Sequence, residues 1–337
     1  MVGCGHIAQK HISALNSISN ARLTAVCDSD KERLAGITET NGVEAYTDYE
    51  EFLKNPCIDA VIVCTPSGMH ARMGEKAARH GKHILMEKPF VLDISQGKRL
   101  VRLCRLRNVK LGVVHPNRTK AIVLALRNAV KQGWFGRLTH ACAAVRWSRS
   151  PEYFNSASWR GTKDLDGGIL YNQAIHSVDL LNWLLGPAGS VFAYGATRHH
   201  AIECEDVCVC VLRFENGALG TIEAAITLYP ENLEESLAVF GTDGTAVLGG
   251  RTLSKILEWK FSCLTDEDAE KQIGLLNGIQ DKSGHKEIIE NFVDSIEQNR
   301  EPLVSGDEAM KTLYLINAIY ESIKSNQPVK LTSNWNG

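Results

Sequence analysis

A glycine-rich turn near the start of the chain could bind a phosphate group. Gly3-Cys4-Gly5-His6-Ile7-Ala8 fits G-x-G-x-x-A, with Val2 as a possible strand end and a helical pattern over 6–18. The first glycine of such a turn allows the tight bend, the second lets the backbone approach a pyrophosphate, and the small alanine lets helix and strand pack closely. Helix N-termini also favour negative charge. We therefore predict that a dinucleotide binds at Gly3, Gly5, His6 and Ile7.

A carboxylate follows the glycine-rich turn at the distance expected for a residue that binds the adenosine ribose. Asp28 lies 23 positions after Gly5, at the end of the apolar run 22–27. A carboxylate there accepts hydrogen bonds from the adenosine ribose hydroxyls and repels a 2′-phosphate, which favours NAD over NADP. The alternative is a glycine-rich helix start with an unrelated surface aspartate. The strand–turn–helix context together with Asp28 argues for the cofactor site.

The first ~130 residues contain the elements that would position this site. Short apolar runs alternate with amphipathic segments, as in strands buried on both faces and connected by helices. This alternation predicts a parallel, doubly wound sheet. The predicted strands are 22–27, 60–64, 83–86 and 109–114, and the predicted helices are 30–40, 69–80, 94–107 and 120–132.

The pattern changes after Gly133. A long strand is predicted over 138–147 and a helix over 166–185, which Gly186-Pro187 ends. Extended segments follow at 191–197, 207–214, 218–228, 234–241 and 245–248, and helices at 285–298 and 306–325 close the chain. We expect a Rossmann domain over 1–117 and, over 118–337, an α+β domain with a large, mostly antiparallel open sheet. An open apolar sheet face indicates an interface, so a homodimer or homotetramer is expected.

One feature of the Rossmann pattern is unusual. Only Met1 and Val2 precede Gly3, although strands usually have about 5 residues. We therefore expect that several residues of the central strand are missing from this chain.

Composition excludes several classes of protein. The 337 residues carry a net charge of −2 without a basic stripe, which argues against a nucleic-acid partner and against an anionic membrane surface. No apolar stretch reaches the length of a membrane span, and no signal peptide is visible, so a cytoplasmic protein is expected. The ten cysteines have irregular spacing without C-x-x-C, which predicts free thiols. His199-His200 with Cys204 lacks ligand spacing, so no metal site is expected.

Several motifs together resemble those of a known family. Thr65-Pro66-Ser67-Gly68-Met69-His70 follows one buried strand, Glu87-Lys88-Pro89 follows the next, and Gly167-Gly168…Asn172…His176…Asp179 comes later. With the glycine-rich turn, these motifs resemble the Gfo/Idh/MocA family of NAD(P)-dependent oxidoreductases over essentially the whole chain. The resemblance implies a Rossmann domain joined to an α/β domain whose open sheet mediates oligomers. It also implies cofactor contacts from Thr65, Pro66, Ser67, His70, Glu87 and Lys88.

A narrower group within the family is also similar. Its markers are the segments 146–153 and 158–162 and the run Asn172-Gln173-Ala174-Ile175-His176. They resemble WlbA-type dehydrogenases, which oxidise C3 of a UDP-linked N-acetylhexosamine or its uronate. Asn172 stands where most sugar and inositol dehydrogenases of the family carry Asp, and the WlbA-like group also has Asn there. Asp166 departs from the family, since many relatives have a third glycine at that position.

The resemblance assigns roles that fit the residue types. Oxidation of a secondary alcohol needs a base for the hydroxyl proton and a positive donor for the developing oxyanion. We assign His176 as the proton acceptor, Lys88 as the electrostatic stabiliser and Asn172 as the substrate anchor. Lys88 and His176 could exchange the base role, because a partly desolvated lysine can have a lowered pKa. His176 lies one helical turn beyond Asn172, so both side chains are expected on one face of one helix.

Further residues are expected around the substrate. Trp159 and Arg160 are expected to reach the cofactor or a sugar diphosphate. Arg149 and Tyr153 are candidates for a phosphate, a carboxylate or uracil, because arginine matches such anions and tyrosine stacks. An interface role for Arg149 is an equal alternative. His285 begins the penultimate helix, where a structural role is the more common one.

Three functions stay open at the level of sequence. The first is an NAD-dependent dehydrogenase of a nucleotide-linked sugar, and the second is a dehydrogenase of a free sugar or cyclitol. The third is a regulatory protein that keeps the NAD fold without catalysis. The presence of both Lys88 and His176 argues against the third.

Overall fold

The chain forms two units in this computed structural model, which describes residues 1–279 and 284–331. The first unit contains residues 1–116 and 284–310, and the second contains residues 117–279 and 311–331. The domain division at residue 117 stays a prediction.

Strands and helices fill most of the described chain. The strands are β1 (Ala25–Cys27), β2 (Glu44–Tyr46), β3 (Ala60–Val63), β4 (His83–Met86), β5 (Leu111–Val113), β6 (Leu138–Arg146), β7 (Ala188–Ala196), β8 (Val207–Phe214), β9 (Leu219–Ala225), β10 (Glu234–Gly241), β11 (Gly244–Gly249), β12 (Lys255–Phe261) and β13 (Val329–Lys330). The helices are α1 (His6–Leu15), α2 (Lys31–Asn41), α3 (Tyr49–Lys54), α4 (His70–Arg79), α5 (Ile94–Arg107), α6 (Ala121–Lys131), α7 (Pro151–Asn155), α8 (Ile169–Asn172), α9 (Ile175–Leu185), α10 (Asp266–Asn277), α11 (His285–Glu297) and α12 (Gly306–Ser325).

The first unit is built on parallel strands, as predicted. β1 pairs with β2, and β3, β4 and β5 form a second parallel ladder. Val2 forms parallel bridges with both Cys27 and Val63, so it lies between the two ladders. β1, β3, β4 and β5 are short and mostly apolar, as is typical of strands in a sheet with helices on both faces. Asp30 and Asp93 cap α2 and α5 by accepting hydrogen bonds from backbone N–H groups of the first turn.

Helix α11 belongs to the core of this first unit although it comes late in the chain. Its residues Ile288, Ile289 and Phe292 are buried in one apolar cluster with Ile12 of α1 and Leu85 of β4. Apolar residues at i, i+1 and i+4 form the buried face of the helix. This packing brings the start of α11, at His285, into the same unit as the glycine-rich turn.

The second unit contains the large open sheet that the sequence predicts. Its eight strands follow the order β12-β11-β10-β6-β9-β8-β7-β13, and every neighbouring pair is antiparallel except β6–β9. β8 alternates strictly: Cys208, Cys210, Leu212 and Phe214 are buried, while the residues between them face outward. This is the period of two expected for a sheet covered on one face. The predicted fold class is confirmed.

The structure corrects one predicted helix and adds elements. The single helix expected over 166–185 is wrong: Gly167 and Gly168 have φ of +86° and +105°, and the helical region is divided into α8 and α9. Asn172 and His176 therefore lie on successive helices rather than on one. The polar strand β2, the helices α3, α7 and α10, and the strands β12 and β13 were not predicted. No helix in the described part of the chain is both long and apolar enough to span a membrane.

Candidate active site

The backbone of Cys64 lies close against the glycine-rich turn and restricts its first glycine. Gly3 has φ +86°, and a Cβ on it would lie 2.6 Å from the carbonyl carbon of Cys64. Only glycine fits this close approach in this conformation. A Cβ on Gly5 would meet nothing within 4 Å, and Gly5 precedes α1 without a side chain capping the helix. His6 and Ile7 form the first turn of α1, whose N–H groups receive no capping side chain.

Asp28 is held beside this turn. It follows β1, and its Oδ2 accepts a 2.7 Å hydrogen bond from the N–H of Cys4, while Oδ1 accepts one of 2.9 Å from the N–H of Asp30. Each carboxylate oxygen has a second lone pair for a further donor. The structure thus brings together the glycines and the carboxylate that the sequence paired.

Two loops at the carboxyl ends of β3 and β4 are joined by a buried histidine. The ring of His70 has Nδ1 2.7 Å from the carbonyl oxygen of Pro89 and Nε2 2.8 Å from that of Thr65. His70 is 1 % exposed. It holds the Thr65-Pro66-Ser67 and Glu87-Lys88-Pro89 loops in register, at the edge where parallel sheets bind ligands. Ser67 is buried, whereas Thr65, Pro66 and Lys88 are half-buried.

Glu87 faces inward rather than toward solvent. Its Oε1 accepts a 2.7 Å hydrogen bond from Nε2 of His11, and its Oε2 accepts one of 3.0 Å from the N–H of Lys88. Nε2 of His285 lies 3.9 Å from the same Oε1. Sequence reasoning gave His11 no role, although its position in the second turn of α1 could have drawn attention to it.

In the second unit, two arginines lie against one tyrosine ring. The guanidinium carbon of Arg160 lies 4.2 Å from the ring centroid of Tyr153, and that of Arg149 lies 5.2 Å from it. Arg160 also covers the ring of Trp159, and Arg149 that of Trp147, at 4.8 and 4.9 Å. Such cation–π contacts hold a guanidinium in place without neutralising it.

A glutamine that sequence reasoning did not assign connects this pair to the predicted substrate anchor. Gln173, buried and next to Asn172, accepts a 2.6 Å hydrogen bond from Nη2 of Arg149 and donates one of 2.8 Å to the hydroxyl of Tyr153. Oδ1 of Asn232 accepts a further bond of 3.2 Å from Nη1 of Arg149. The position of Gln173 directly after Asn172 could have indicated its role from the sequence. Nothing near Asn232 indicated that it would bind Arg149.

Asp166 fixes Asn172. Its Oδ1 accepts a hydrogen bond from Nδ2 of Asn172, and its Oδ2 accepts one of 2.7 Å from the N–H of Gly161. Asp166 thus connects the 158–162 segment to α8. Asn172 and His176 are both half-buried, so their side chains have a solvent-accessible part.

The His199-His200 pair is part of the loop before β8. His200 has Nδ1 3.0 Å from Oδ2 of Asp206 and Nε2 2.8 Å from the carbonyl oxygen of Arg149. Asp206 also accepts hydrogen bonds from the N–H groups of Arg198, His199 and His200. The buried aspartate organises this loop and, through His200, supports the backbone of Arg149.

The first unit fits a dinucleotide on three observations. The space at Gly5 is open, the N-terminus of α1 is uncapped, and Asp28 is held beside the turn. Gly3, Gly5, His6 and Ile7 would hold the pyrophosphate and Asp28 the adenosine ribose. When bound, NAD supplies the carbon that accepts or returns a hydride.

Comparisons with known proteins agree with this geometry. The model of the "Oxidoreductase family, NAD-binding Rossmann fold" matches residues 1–115, and that of the "GFO/IDH/MocA C-terminal domain" matches 123–247. The WlbA dehydrogenase of Bordetella pertussis, solved with NADH and UDP-GlcNAcA, is 36% identical with a TM-score of 0.92, over 98% of this chain and 96% of that one. The Chromobacterium violaceum enzyme, solved with the same ligands, is 34% identical with a TM-score of 0.93, over 98% and 95%.

An inositol dehydrogenase is also similar. Myo-inositol 2-dehydrogenase of Thermotoga maritima is 27% identical, over 98% of this chain and 97% of its own. The predicted family and cofactor are thereby confirmed. With both family models matched in order and a cofactor turn that fits NAD, the chain belongs to the GFO/IDH/MocA family and is an NAD-dependent dehydrogenase acting on CH–OH groups.

Proposed function

We propose that this enzyme oxidises a secondary hydroxyl, that of C3, in a nucleotide-linked sugar such as UDP-GlcNAc or its uronate. The uronate UDP-GlcNAcA is the better candidate of the two. Its diphosphate and its carboxylate offer separate anionic groups to the second unit.

The observation that carries this proposal is the charge around Tyr153. Among the described residues, no carboxylate forms an ion pair with Arg149 or Arg160, although both guanidinium groups lie against one ring. Burial lowers the pKa of the Arg149 guanidinium, and the charge of Arg160 contributes to this lowering. Two neighbouring cations without an anion are unfavourable unless a ligand supplies one. Phosphate and carboxylate groups are the anions that a guanidinium pairs with best.

The arginines are connected to the predicted anchor. Gln173 binds Arg149 and Tyr153 and is adjacent to Asn172, while Asp166 orients the Asn172 amide. An anion bound to Arg149 would therefore be connected, through Gln173, to the residue next to the hydroxyl anchor. A neutral cyclitol would leave both cations without an anion.

The reaction assigned to this site needs three side chains besides NAD. His176 takes the proton of the C3 hydroxyl, Lys88 stabilises the developing oxyanion, and Asn172 holds a sugar hydroxyl. Lys88 is in the first unit and the other two are in the second. The two WlbA enzymes, solved with NADH and UDP-GlcNAcA, support the choice of substrate, and myo-inositol 2-dehydrogenase represents the competing one.

Ligand binding tests the proposal. With NADH saturating, calorimetric titration should give tight binding of UDP-GlcNAcA and none of myo-inositol. R160Q and R149Q should each weaken UDP-GlcNAcA binding by about 10- to 100-fold, the value of one charge-assisted hydrogen bond. R251Q is the matched control, because Arg251 is exposed and paired with Glu231 in the same unit. Binding of UDP-GlcNAcA that is equal in R160Q, R149Q and R251Q would contradict the proposal.

A further inference from the structure

Three ionisable side chains form a buried cluster beneath the Glu87-Lys88-Pro89 loop. His11 on α1, Glu87 after β4 and His285 at the start of α11 are 0, 5 and 6 % exposed. One ligand atom from each lies within 4.8 Å of the others. The rings of His11 and His285 meet edge to face with centroids 5.2 Å apart. Neither histidine has a part in the reaction described above.

The Glu87 carboxylate connects this cluster to the predicted oxyanion stabiliser. One oxygen accepts the 2.7 Å hydrogen bond from Nε2 of His11, and the other accepts the 3.0 Å bond from the N–H of Lys88. The backbone of Lys88 is therefore oriented by a carboxylate that is itself oriented by α1. The carbonyl of Pro89, one residue on, is held by His70.

The charges in the cluster compensate one another. The groups that face Glu87 are His11 from α1, His285 from α11 and Lys88 from its own loop, while Cys64 after β3 faces His11. Burial opposes the imidazolium, but the Cys64 sulfur and the Glu87 carboxylate outweigh it and raise the pKa of His11 to about 10. Burial likewise opposes the carboxylate, but the hydrogen bond and charge of His11, with His285 and Lys88, lower the pKa of Glu87 to about 2. Near neutral pH, Glu87 is an anion and His11 a cation.

A buried ion pair contributes little net stability compared with apolar residues of the same volume. A buried ion pair does fix the orientation of its hydrogen-bond donors, since a charged acceptor gives short, well-aligned hydrogen bonds. Here the aligned donor is the peptide of Lys88. The helix that supplies the imidazole is the same helix whose first turn forms the cofactor site.

We infer that His11 is a positioning residue that acts through Glu87 to orient Lys88. The inference rests on the proposed function for the catalytic role of Lys88, but the placement of its backbone can be tested separately. His11 touches no reacting atom in this scheme. Its effect on turnover passes entirely through Lys88.

Amide hydrogen exchange tests the placement without any substrate. The Lys88 N–H should be protected in the wild type and should exchange more than about tenfold faster in H11L, where Glu87 loses its hydrogen bond from position 11. H11Q should keep the protection, because its amide N–H replaces the Nε2–H of histidine. Amides of β4, such as Ile84, should not change. H80L is the matched control, since His80 also faces a glutamate, Glu50, in the same unit but directly after the C-terminus of α4. Unchanged Lys88 exchange in a folded H11L would overturn the inference.

A double-mutant cycle of H11L and K88A then tests the effect of His11 on turnover. With UDP-GlcNAcA, or with myo-inositol should that be the sugar oxidised, H11L should lower kcat by about 10²-fold, the effect of a misplaced group. KM and NAD affinity should stay near those of the wild type, and H11Q should restore most of kcat. In a K88A background H11L should have no further effect. Faster Lys88 exchange in H11L with full activity in K88A would refute the proposed function and leave the positioning supported.

Two other outcomes bear on the inference. Should H11L fail to fold, E87Q replaces it, and a wild-type exchange rate at Lys88 in E87Q would overturn the inference. Activity lost on dialysis against EDTA and restored by Zn²⁺ only when His11 is present would mean that the cluster binds a metal, and would also overturn it.

Discussion

The Asp28 carboxylate accepts a 2.7 Å hydrogen bond from the peptide N–H of Cys4, inside the glycine-rich turn. This contact places a negative charge beside the turn, where a 2′-phosphate would be repelled. We therefore expect NADH to bind more tightly than NADPH, and D28S to narrow or reverse the preference. Fluorescence titration of each nucleotide measures this. Equal or tighter binding of NADPH by the wild type would contradict it.

The proposed catalytic residues make separate predictions. K88A should lower kcat by about 10²–10³-fold and H176A by about 10²–10⁴-fold, with NAD binding nearly unchanged. N172A should raise KM as well as lower kcat, because an anchor also binds the ground state. Single-turnover NADH formation separates chemistry from product release. A near wild-type rate in H176A would move the proton-acceptor role to Lys88 or refute the mechanism.

The His11–Glu87 pair predicts how stability depends on pH. The folded pKa of His11, about 10, is above its ordinary 6.5, so its contribution is complete below pH 6.5 and is lost as the pH rises toward 10. The folded pKa of Glu87, about 2, is below its ordinary 4.5, so its contribution is complete above pH 4.5 and is lost as the pH falls toward 2. The free energy of unfolding lost in H11Q should therefore shrink between pH 6.5 and 10. Urea unfolding at pH 6, 8 and 10 measures it, and a difference that stays constant would be evidence against the charged pair.

The open sheet predicts self-association. Tyr194 and Val209 are paired across β7 and β8 and are 64 and 50 % exposed, and Val211 of β8 and Leu219 of β9 are also exposed. An apolar face of this kind is typical of an interface, here with a second copy of the chain. We expect a homodimer or homotetramer by light scattering, and a smaller assembly in V211K. L106K, on exposed Leu106 of α5, is the control. A monomeric wild type at micromolar concentration would refute this.

Local patterns predicted much of the fold. β4, α5, β8 and α12 lie within a residue of their expected bounds, because apolar periodicity and helix caps act over short distances. The later start of the helical region expected over 166–185 was missed, because the positive φ of Gly167 and Gly168 cannot be inferred from residue type alone. Its division after Asn172 was missed as well, since Gln173 and Ala174 carry no sequence signal for a helix end. β2 was missed since its exposed, polar residues lack the pattern of a buried strand.

In the candidate site, too, only the contacts set by a local sequence pattern could be predicted. The glycine-rich turn and Asp28 could be predicted because their spacing is set by one strand–turn–helix unit. The contacts of Arg149 with Gln173 and Asn232 could not, since they join residues 24 and 83 positions apart in the chain. The link from His11 to Glu87 spans 76 positions and depends on the packing of the whole first unit.

Oxidation of UDP-GlcNAcA itself is the most direct test of the proposed function. Enzyme in excess, loaded with NAD, is mixed with UDP-GlcNAcA, UDP-GlcNAc or myo-inositol, and NADH absorbance is followed through a single turnover. We expect rapid NADH formation with UDP-GlcNAcA, less with UDP-GlcNAc, none with myo-inositol, and loss of NADH formation in K88A and H176A. NADH formation from myo-inositol but not from either nucleotide sugar would contradict it.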